Sequence, residues 1–155
     1  MSGGDGIPSP PAADAVQQRA VAAARRWLGT PYVHQASTLG VGTDCLGLIR
    51  GIWRDLYGRE PEVVPAYTAD WAEAGGVETL WAAAGRLMIP RPLGPPEPGN
   101  VVLFRMRPGA VAKHVGLCSA PGRFIHAYER TGVVETALTP SWARHIVARF
   151  DFPNM

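Results

Sequence analysis

The sequence lacks the features that mark several large classes of protein. Its 155 residues include only two cysteines, which are too few for a disulfide framework. No run of Lys or Arg occurs and the formal net charge is +2, so the composition gives no support for nucleic-acid binding. No apolar run approaches the roughly 20 residues that a membrane-spanning helix needs. We expect a globular domain with no nucleic-acid partner and no membrane span.

A secretory signal is also missing. The segment Met1 to Asp14 has neither a basic n-region nor an apolar h-region. We therefore expect synthesis in the cytoplasm without a signal peptide. Residues 1–12 are mostly Gly, Pro, Ser and Ala and are predicted to be a flexible N-terminal arm, whereas residues 13–155 are predicted to form a single domain.

Helical patterns come early in the chain and strand patterns come late. The Ala-rich run Asp14–Leu28 predicts one helix, Cys45 opens another, and Thr68–Ala74 and Gly76–Ala84 predict two short ones. From Asn100 onward, short apolar runs alternate with Gly, Pro and Ser turns. These strand candidates are Val101–Met106, Lys113–Cys118, Phe124–Tyr128, Gly132–Thr136 and His145–Phe150. The order favours an α+β fold, with N-terminal helices packed on an antiparallel sheet of about five strands.

Cys45 stands at the start of an amphipathic helix. Thr43 or Asp44 can cap its N-terminus, and Gly58 can end it. A thiol in the first turn meets free N–H groups and the positive end of the helix dipole, which favour the thiolate and predict a lowered pKa. The alternative is that Cys45 is a small buried apolar residue. Cys118 lies in a strand pattern and is interpreted as a core residue.

A cysteine nucleophile needs a base, and His114 and His126 are the candidates. They lie on consecutive strand candidates, whose side chains alternate between the two faces. A two-residue turn at Pro121-Gly122 would place them on opposite faces. A catalytic pair therefore predicts a longer loop or a bulge within Ser119–Arg123, with both histidines directed toward the Cys45 helix. The alternative is a pair of half-buried histidines with structural roles.

Zinc binding is another chemical use of the same side chains. Cys45, Cys118, His114 and His126 are all ligand types, but no CxxC or HxxxH spacing is present. We therefore expect no metal and no cofactor.

Five blocks of sequence, in order, resemble the NlpC-type cell-wall cysteine peptidases, which are small papain-like enzymes. The blocks are Gly29-Thr30-Pro31-Tyr32, Asp44-Cys45-Leu46-Gly47-Leu48, Pro98-Gly99-Asn100-Val101-Val102-Leu103-Phe104, His114-Val115-Gly116-Leu117 and Phe124-Ile125-His126-Ala127. The resemblance spans nearly the whole chain. Residues 32–37 together with 44–48 resemble the subgroup encoded with phage tails and gene transfer agents.

The resemblance implies a papain-like NlpC-type fold and a role for each matching residue. Cys45 would be the nucleophile, His114 the base and His126 the residue that orients it. Tyr32 and Asp44 would lie on the substrate and oxyanion side. The implied reaction is hydrolysis of an amide bond in peptidoglycan stem peptides, with the γ-D-glutamyl bond to the diamino acid as the usual target.

Three positions depart from the family pattern. Leu46 stands where a serine commonly follows the nucleophile, and His34-Gln35-Ala36 replaces a frequent Trp-Gly-Gly. Asn100 replaces the usual acidic residue after Pro-Gly. The first two departures lie near the expected substrate, so they leave the exact specificity open.

A wall hydrolase without a signal peptide needs another route to its substrate. The resemblance to tail-encoded members implies carriage on a phage-tail-like or gene transfer agent particle, docked to tail or baseplate hub proteins. The enzyme would then act in the periplasm or cell wall of a target cell. Two alternatives stay open: a catalytically weak structural component of a tail or baseplate, and an amidase or acyltransferase on the same fold.

Overall fold

The computed structural model describes residues 12–61 and 79–154. Four helices and eight strands occur in these ranges: α1 Ala12–Arg26, β1 Ser37–Thr38, β2 Gly42–Thr43, α2 Cys45–Tyr57, α3 Thr79–Leu87, β3 Ile89–Arg91, β4 Val101–Phe104, β5 His114–Ala120, β6 Arg123–Tyr128, β7 Gly132–Ala137, α4 Pro140–Ala143 and β8 Ile146–Asp151. None of the helices in the described ranges has the length and hydropathy of a membrane span. The predicted α+β class is confirmed.

Some predictions fall outside the described ranges. The predicted arm does so except for Ala12, which belongs to α1, so this helix begins two residues before the predicted start at Asp14. The predicted helix Thr68–Ala74 lies entirely outside them, and α3 overlaps the end of the other predicted short helix. The assignment of residues 13–155 to a single domain stays a prediction.

The central sheet has six antiparallel strands in the order β3-β8-β4-β5-β6-β7. Strands β4 to β7 form the predicted meander, and β8 returns beside β4. A sixth strand, β3, lies outside the five strand candidates and contains Pro90. Proline lacks the N–H group that an interior strand needs, but β3 is an edge strand and pairs only with β8.

The two faces of the sheet carry different apolar clusters. Val115, Leu117 and Ile125 belong to the main core, together with α1 and with Leu48 and Ile52 of α2. The opposite face carries a smaller cluster of buried residues, formed by Val102, Phe104, Cys118 and Phe124. Because side chains alternate along a strand, the even-numbered residues within 114–118 and 124–128 point away from the helices.

Helix α2 begins and ends as predicted. The Asp44 side chain accepts a hydrogen bond from the Gly47 N–H (2.7 Å), and Gly58 ends the helix with a φ of 86°. A Cβ atom on Gly47 would lie 2.0 Å from the Ala36 carbonyl oxygen. The missing side chain therefore lets the preceding loop lie against the first turn of the helix.

The β5–β6 hairpin contains the predicted bulge. Ala120 pairs with Arg123 across a two-residue turn in which Gly122 has a φ of 74°. The register shifts between Cys118 and Ala120, so that Cys118 pairs with Phe124. The extra residue restores a pairing in which both histidines share one face of the sheet.

Candidate active site

Cys45 is the first residue of α2. The residue before it, Asp44, has a buried carboxylate that bonds both the preceding loop and the first turn of the helix. Asp44 is 2% exposed. One of its oxygens caps the helix, and the other accepts a 2.8 Å hydrogen bond from the backbone N–H of Gln35. His34 Nδ1 lies 3.8 Å from the same oxygen. The loop before the helix and the first turn are therefore tied to one side chain.

The Cys45 sulfur lies at the edge of β5 where β6 separates from it. The thiol donates to the carbonyl oxygen of Lys113 at 3.5 Å. The Cys118 N–H donates to the Asn100 carbonyl oxygen on the β4 side. Because backbone polar groups alternate between the two edges of a strand, the Val115 N–H and the Lys113 carbonyl point toward β6. The β5–β6 ladder begins only beyond these residues, which leaves their polar groups to the sulfur.

The predicted lowering of the Cys45 pKa is wrong for this arrangement. Burial, together with the Asp44 carboxylate, raises the pKa of the thiol to about 12, although hydrogen bonds from the backbone N–H groups of Val115, Leu46 and Cys45 oppose the rise. Enclosure against β5 outweighs the favourable helix terminus. Cys45 is therefore a neutral thiol at neutral pH.

A line of hydrogen bonds crosses three strands beside this sulfur. His114 Nε2 lies 2.8 Å from His126 Nδ1, and His126 Nε2 lies 2.9 Å from Thr136 Oγ1. His126 is 1% exposed. Gly116 leaves room for the second ring, because a Cβ atom there would lie 3.1 Å from His126 Cβ. The predicted contact between the two histidines is present.

Both histidines are neutral in this environment. Burial, together with the neighbouring His126, lowers the pKa of His114 to about 3. Burial also lowers the pKa of His126 to about 4. A neutral imidazole can accept a proton, so His114 has the protonation state that a general base needs.

The predicted orientation of the histidines toward α2 is wrong. Val115 points into the core shared with α2, so its neighbour His114 points to the opposite face. There the His114 ring lies 5.6 Å from Phe104 and 5.8 Å from Trp142. The sulfur nevertheless contacts the backbone on either side of His114, because the gap between β5 and β6 opens the sheet at this point.

Tyr32 lies close enough to the thiol for the two groups to interact electrostatically. It forms a parallel bridge with Thr43, just before the helix. The pKa of its hydroxyl is raised to about 12, chiefly by burial; the Cys45 thiol, once ionised, and the carboxylates of Asp44 and Glu129 act in the same direction. All five predicted site residues are thus drawn to the start of α2 and the adjacent end of the sheet.

The sequence did not point to two side chains that complete this arrangement. Thr136 bonds His126, and Trp142 covers both imidazole rings. The alternation in β7 could have placed Thr136 beside His126 once the β6–β7 register was known. Trp142 lies in a four-residue helix, α4, for which the apolar pattern gives no signal.

Among the residues that the structure describes, no group of three or more His, Cys, Asp or Glu side chains could hold a metal ion. Both cysteines are free thiols. Cys118 is 1% exposed and belongs to the smaller apolar cluster, as predicted for a core residue.

The model of the NlpC/P60 family matches residues 29–150. The chain belongs to the NlpC/P60 family. Two curated relatives are the Gamma-DL-glutamyl hydrolase of Bacillus subtilis (29% identity, over 83% of this chain and 28% of the relative) and the Murein DD-endopeptidase MepS/Murein LD-carboxypeptidase of Escherichia coli K12 (28% identity, 79% and 59%). The chain therefore spans less than two thirds of either relative.

Solved NlpC/P60 structures share the fold. NlpC2 from Trichomonas vaginalis superposes with a TM-score of 0.63 at 18% identity, over 98% of this chain and 50% of that one. The NlpC/p60 domain of the peptidoglycan hydrolase SagA superposes with a TM-score of 0.59 at 20% identity, over 88% and 98%. The predicted papain-like NlpC-type fold is confirmed.

Proposed function

We propose that this chain is a cysteine peptidase that hydrolyses an amide bond in the stem peptides of peptidoglycan, with Cys45 as nucleophile and His114 as base. Members of the NlpC/P60 family are cysteine peptidases that act on peptidoglycan. One observation carries the assignment of roles to this chain: the Cys45 sulfur contacts the Lys113 carbonyl and the Val115 N–H, on either side of His114, whose ring is hydrogen-bonded to His126.

The hydrogen-bonded line defines the tautomers that this reaction needs. A neutral imidazole carries one N–H, so one ring must donate and the other accept. If His114 donates from Nε2 to His126 Nδ1, then His126 donates from Nε2 to Thr136 Oγ1. This arrangement leaves His114 Nδ1 without a proton and able to take the proton of the thiol. His126 and Thr136 are positioning residues that hold this tautomer.

The reaction then begins from a neutral pair and not from a preformed ion pair. His114 removes the thiol proton as the Cys45 sulfur attacks the substrate carbonyl carbon. Backbone N–H groups at the start of α2, with the Tyr32 hydroxyl, stabilise the resulting oxyanion. His114 gives its proton to the leaving amine as the C–N bond breaks. Water, deprotonated by His114, hydrolyses the thioester and restores the thiol.

For the bond cleaved, we propose the link between γ-D-glutamate and the diamino acid. Support comes from the resemblance described above and from the curated relative named as a Gamma-DL-glutamyl hydrolase. Leu46 and His34 flank the nucleophile on α2 and on the preceding loop. Because they differ from the common family residues, they are the positions at which we expect the specificity to be set.

The test is digestion of purified peptidoglycan followed by mass spectrometry of the soluble fragments. We expect new fragments that end at D-glutamate, and none with Cys45→Ala. Cleavage at a different amide would keep the peptidase assignment and refute the bond. No released peptide, with the wild-type protein folded, would favour the structural-component alternative, and acyl transfer to an added amine would favour the transferase alternative.

We also propose that the enzyme is made in the cytoplasm and carried by a tail-like particle to the wall of a target cell, docked to hub proteins of its tail or baseplate. The support is the resemblance of residues 32–37 and 44–48 to tail-encoded members of the family. Sedimentation of particles from a host that produces an epitope-tagged chain tests this proposal. Co-sedimentation with tail proteins is expected, whereas recovery only in the particle-free fraction would contradict it.

A further inference from the structure

We propose that Trp142 is a positioning residue that closes the far side of the His114–His126 pair against water. The inference rests on the proposed function, because it concerns the base of that reaction. Trp142 belongs to α4, the short helix between β7 and β8, and is partly buried. No strand of the sheet contributes it, so its position over the two rings depends on how α4 is anchored.

The indole ring contacts both imidazoles directly. Its centroid lies 5.1 Å from that of His126, with an interplanar angle of 83°, and 5.8 Å from that of His114, with an angle of 33°. An edge-to-face contact of this kind is the favoured geometry for aromatic pairs. One indole therefore spans the bond between the two histidines.

Two phenylalanines complete the enclosure from the sheet. Phe124 lies 4.3 Å from the His126 ring and Phe104 lies 5.6 Å from the His114 ring. Trp142 contacts both of them, at 5.2 Å and 5.5 Å. The histidine pair is thus set between a floor of phenylalanines and a tryptophan cover, all of them uncharged.

Hydrogen bonds at both ends of helix α4 fix the position of Trp142 over the two imidazole rings. The Thr139 side chain accepts a hydrogen bond from the Trp142 N–H (3.3 Å), and the Trp142 carbonyl accepts one from the His145 N–H (3.0 Å). Just upstream, the Leu138 N–H donates to the Gly122 carbonyl in the β5–β6 turn (2.7 Å). Thr136, which is hydrogen-bonded to His126, lies in β7, two residues before Leu138.

The consequence concerns the charge state of the base. Titratable side chains reach this region from two elements: Cys45 from α2, through its contact with the Lys113 backbone carbonyl, and Tyr128 from β6. The indole adds no charge but excludes water, and exclusion of water disfavours the protonated imidazole. Removing the indole should therefore raise the pKa values of both histidines and loosen the His114 ring.

The experiment compares Trp142→Ala and Trp142→Phe with Trp81→Ala. Trp81 is a matched control because it is also a partly buried tryptophan, but it lies on α3 against Arg105. Imidazole titration by NMR gives the two histidine pKa values without any substrate. The pH profile of kcat/KM on peptidoglycan fragments gives the acid limb of activity, and near-ultraviolet circular dichroism reports folding.

For Trp142→Ala we expect both imidazole pKa values, and the acid limb, to move upward by about 1 unit or more. Trp142→Phe should keep both pKa values close to those of the wild type, and Trp81→Ala should leave them unchanged. An unchanged titration in a folded variant, or an equal shift in the Trp81 control, would overturn the proposal. If Trp142→Ala does not fold, Trp142→Leu replaces it under the same criteria. Absence of wild-type hydrolysis would refute the proposed function and leave the titration result standing.

Discussion

The Cys45 sulfur lies 3.5 Å from the carbonyl oxygen of Lys113, at the edge of β5 that β6 leaves unpaired. The nucleophile is therefore seated on a strand as well as on the N-terminus of a helix. A thiol that donates to a carbonyl is held in its protonated form, which agrees with the raised pKa of Cys45. In the proposed mechanism, substrate binding redirects this proton to His114 before the sulfur attacks.

The first prediction concerns the reactivity of the two thiols. Iodoacetamide should label Cys45 in preference to Cys118, because Cys118 is 1% exposed. Labelling of Cys45 should be slow at pH 6 and rise steadily up to pH 9, since burial raises the pKa of its thiol to about 12. Peptide mapping at each pH measures both rates, and Cys45→Ala identifies the labelled site.

A different pH dependence would contradict the neutral-pair mechanism. A labelling rate that is already high and constant between pH 5 and pH 7 would indicate a preformed thiolate next to a protonated His114. Faster labelling of Cys118 than of Cys45 in the folded protein would contradict the assignment of the nucleophile itself.

The second prediction concerns Thr136. Thr136→Val preserves the shape of the side chain but removes the acceptor for His126 Nε2, which lies 2.9 Å away. A buried donor without a partner should lower the free energy of unfolding by about 1–3 kcal/mol. We expect kcat to fall with little change in KM, because the tautomer of His114 is no longer held.

Thr136→Ser is the matched control, since it keeps the hydroxyl. It should retain most of the wild-type kcat and unfolding free energy, measured by steady-state kinetics and urea titration. Equal losses in the Val and Ser variants would show that the methyl group, and not the hydrogen bond, matters at this position.

Local rules were sufficient to predict two structural features around the site. Asp44 and Gly58 are common cap residues, so both ends of α2 were predictable. Alternation along the strands linked His114 and His126, and the parity of the turn then required the bulge that the structure shows between Cys118 and Ala120.

The failures came from information that a single sequence does not carry. Alternation shows that two side chains share a face but not which face packs on a helix, so the histidines were directed toward α2 wrongly. Proline disfavours a strand, yet Pro90 is tolerated in β3 because β3 is an edge strand, which only the topology reveals. The pKa of Cys45 depends on enclosure by β5, a contact across 68 positions of sequence.

The third prediction uses the departure at Asn100. This residue is buried, its Nδ2 donates to Asp151 at 2.6 Å, and its Oδ1 accepts from Arg149 at 2.9 Å. Asn100→Asp would place a second carboxylate at hydrogen-bond distance from that of Asp151, whose pKa burial already raises. One of the two must then hold a proton, so the variant should lose about 1–3 kcal/mol at pH 7.

The sign of the pH dependence follows from a raised carboxyl pKa in the folded state. The loss should shrink as the pH falls toward 4, because a shared proton relieves the repulsion. Asn100→Asp combined with Asp151→Asn exchanges donor and acceptor and should restore stability. Thermal unfolding across pH measures all three proteins. A single variant as stable as the wild type at pH 7 would contradict the assigned hydrogen bonds.

The fourth prediction concerns acid stability. Burial lowers the pKa of His114 to about 3 and that of His126 to about 4, from an ordinary value of 6.5. Below pH 6.5 the unfolded chain binds two protons that the folded chain does not. The contribution of the pair is therefore fully present above pH 6.5 and is lost as the pH falls toward 4 and then 3.

Urea unfolding between pH 7 and pH 5 isolates this effect. Glu60 and Glu135 have pKa values lowered from 4.5, so their contributions are lost only at more acidic pH. His126→Asn removes one of the two titrating groups and should reduce the slope of unfolding free energy against pH by about half. Because the slope counts protons taken up on unfolding, it distinguishes this effect from a general loss of packing. An unchanged slope in a folded His126→Asn protein would show that His126 is already protonated in the native state, which would also remove the neutral acceptor on which the His114 tautomer depends.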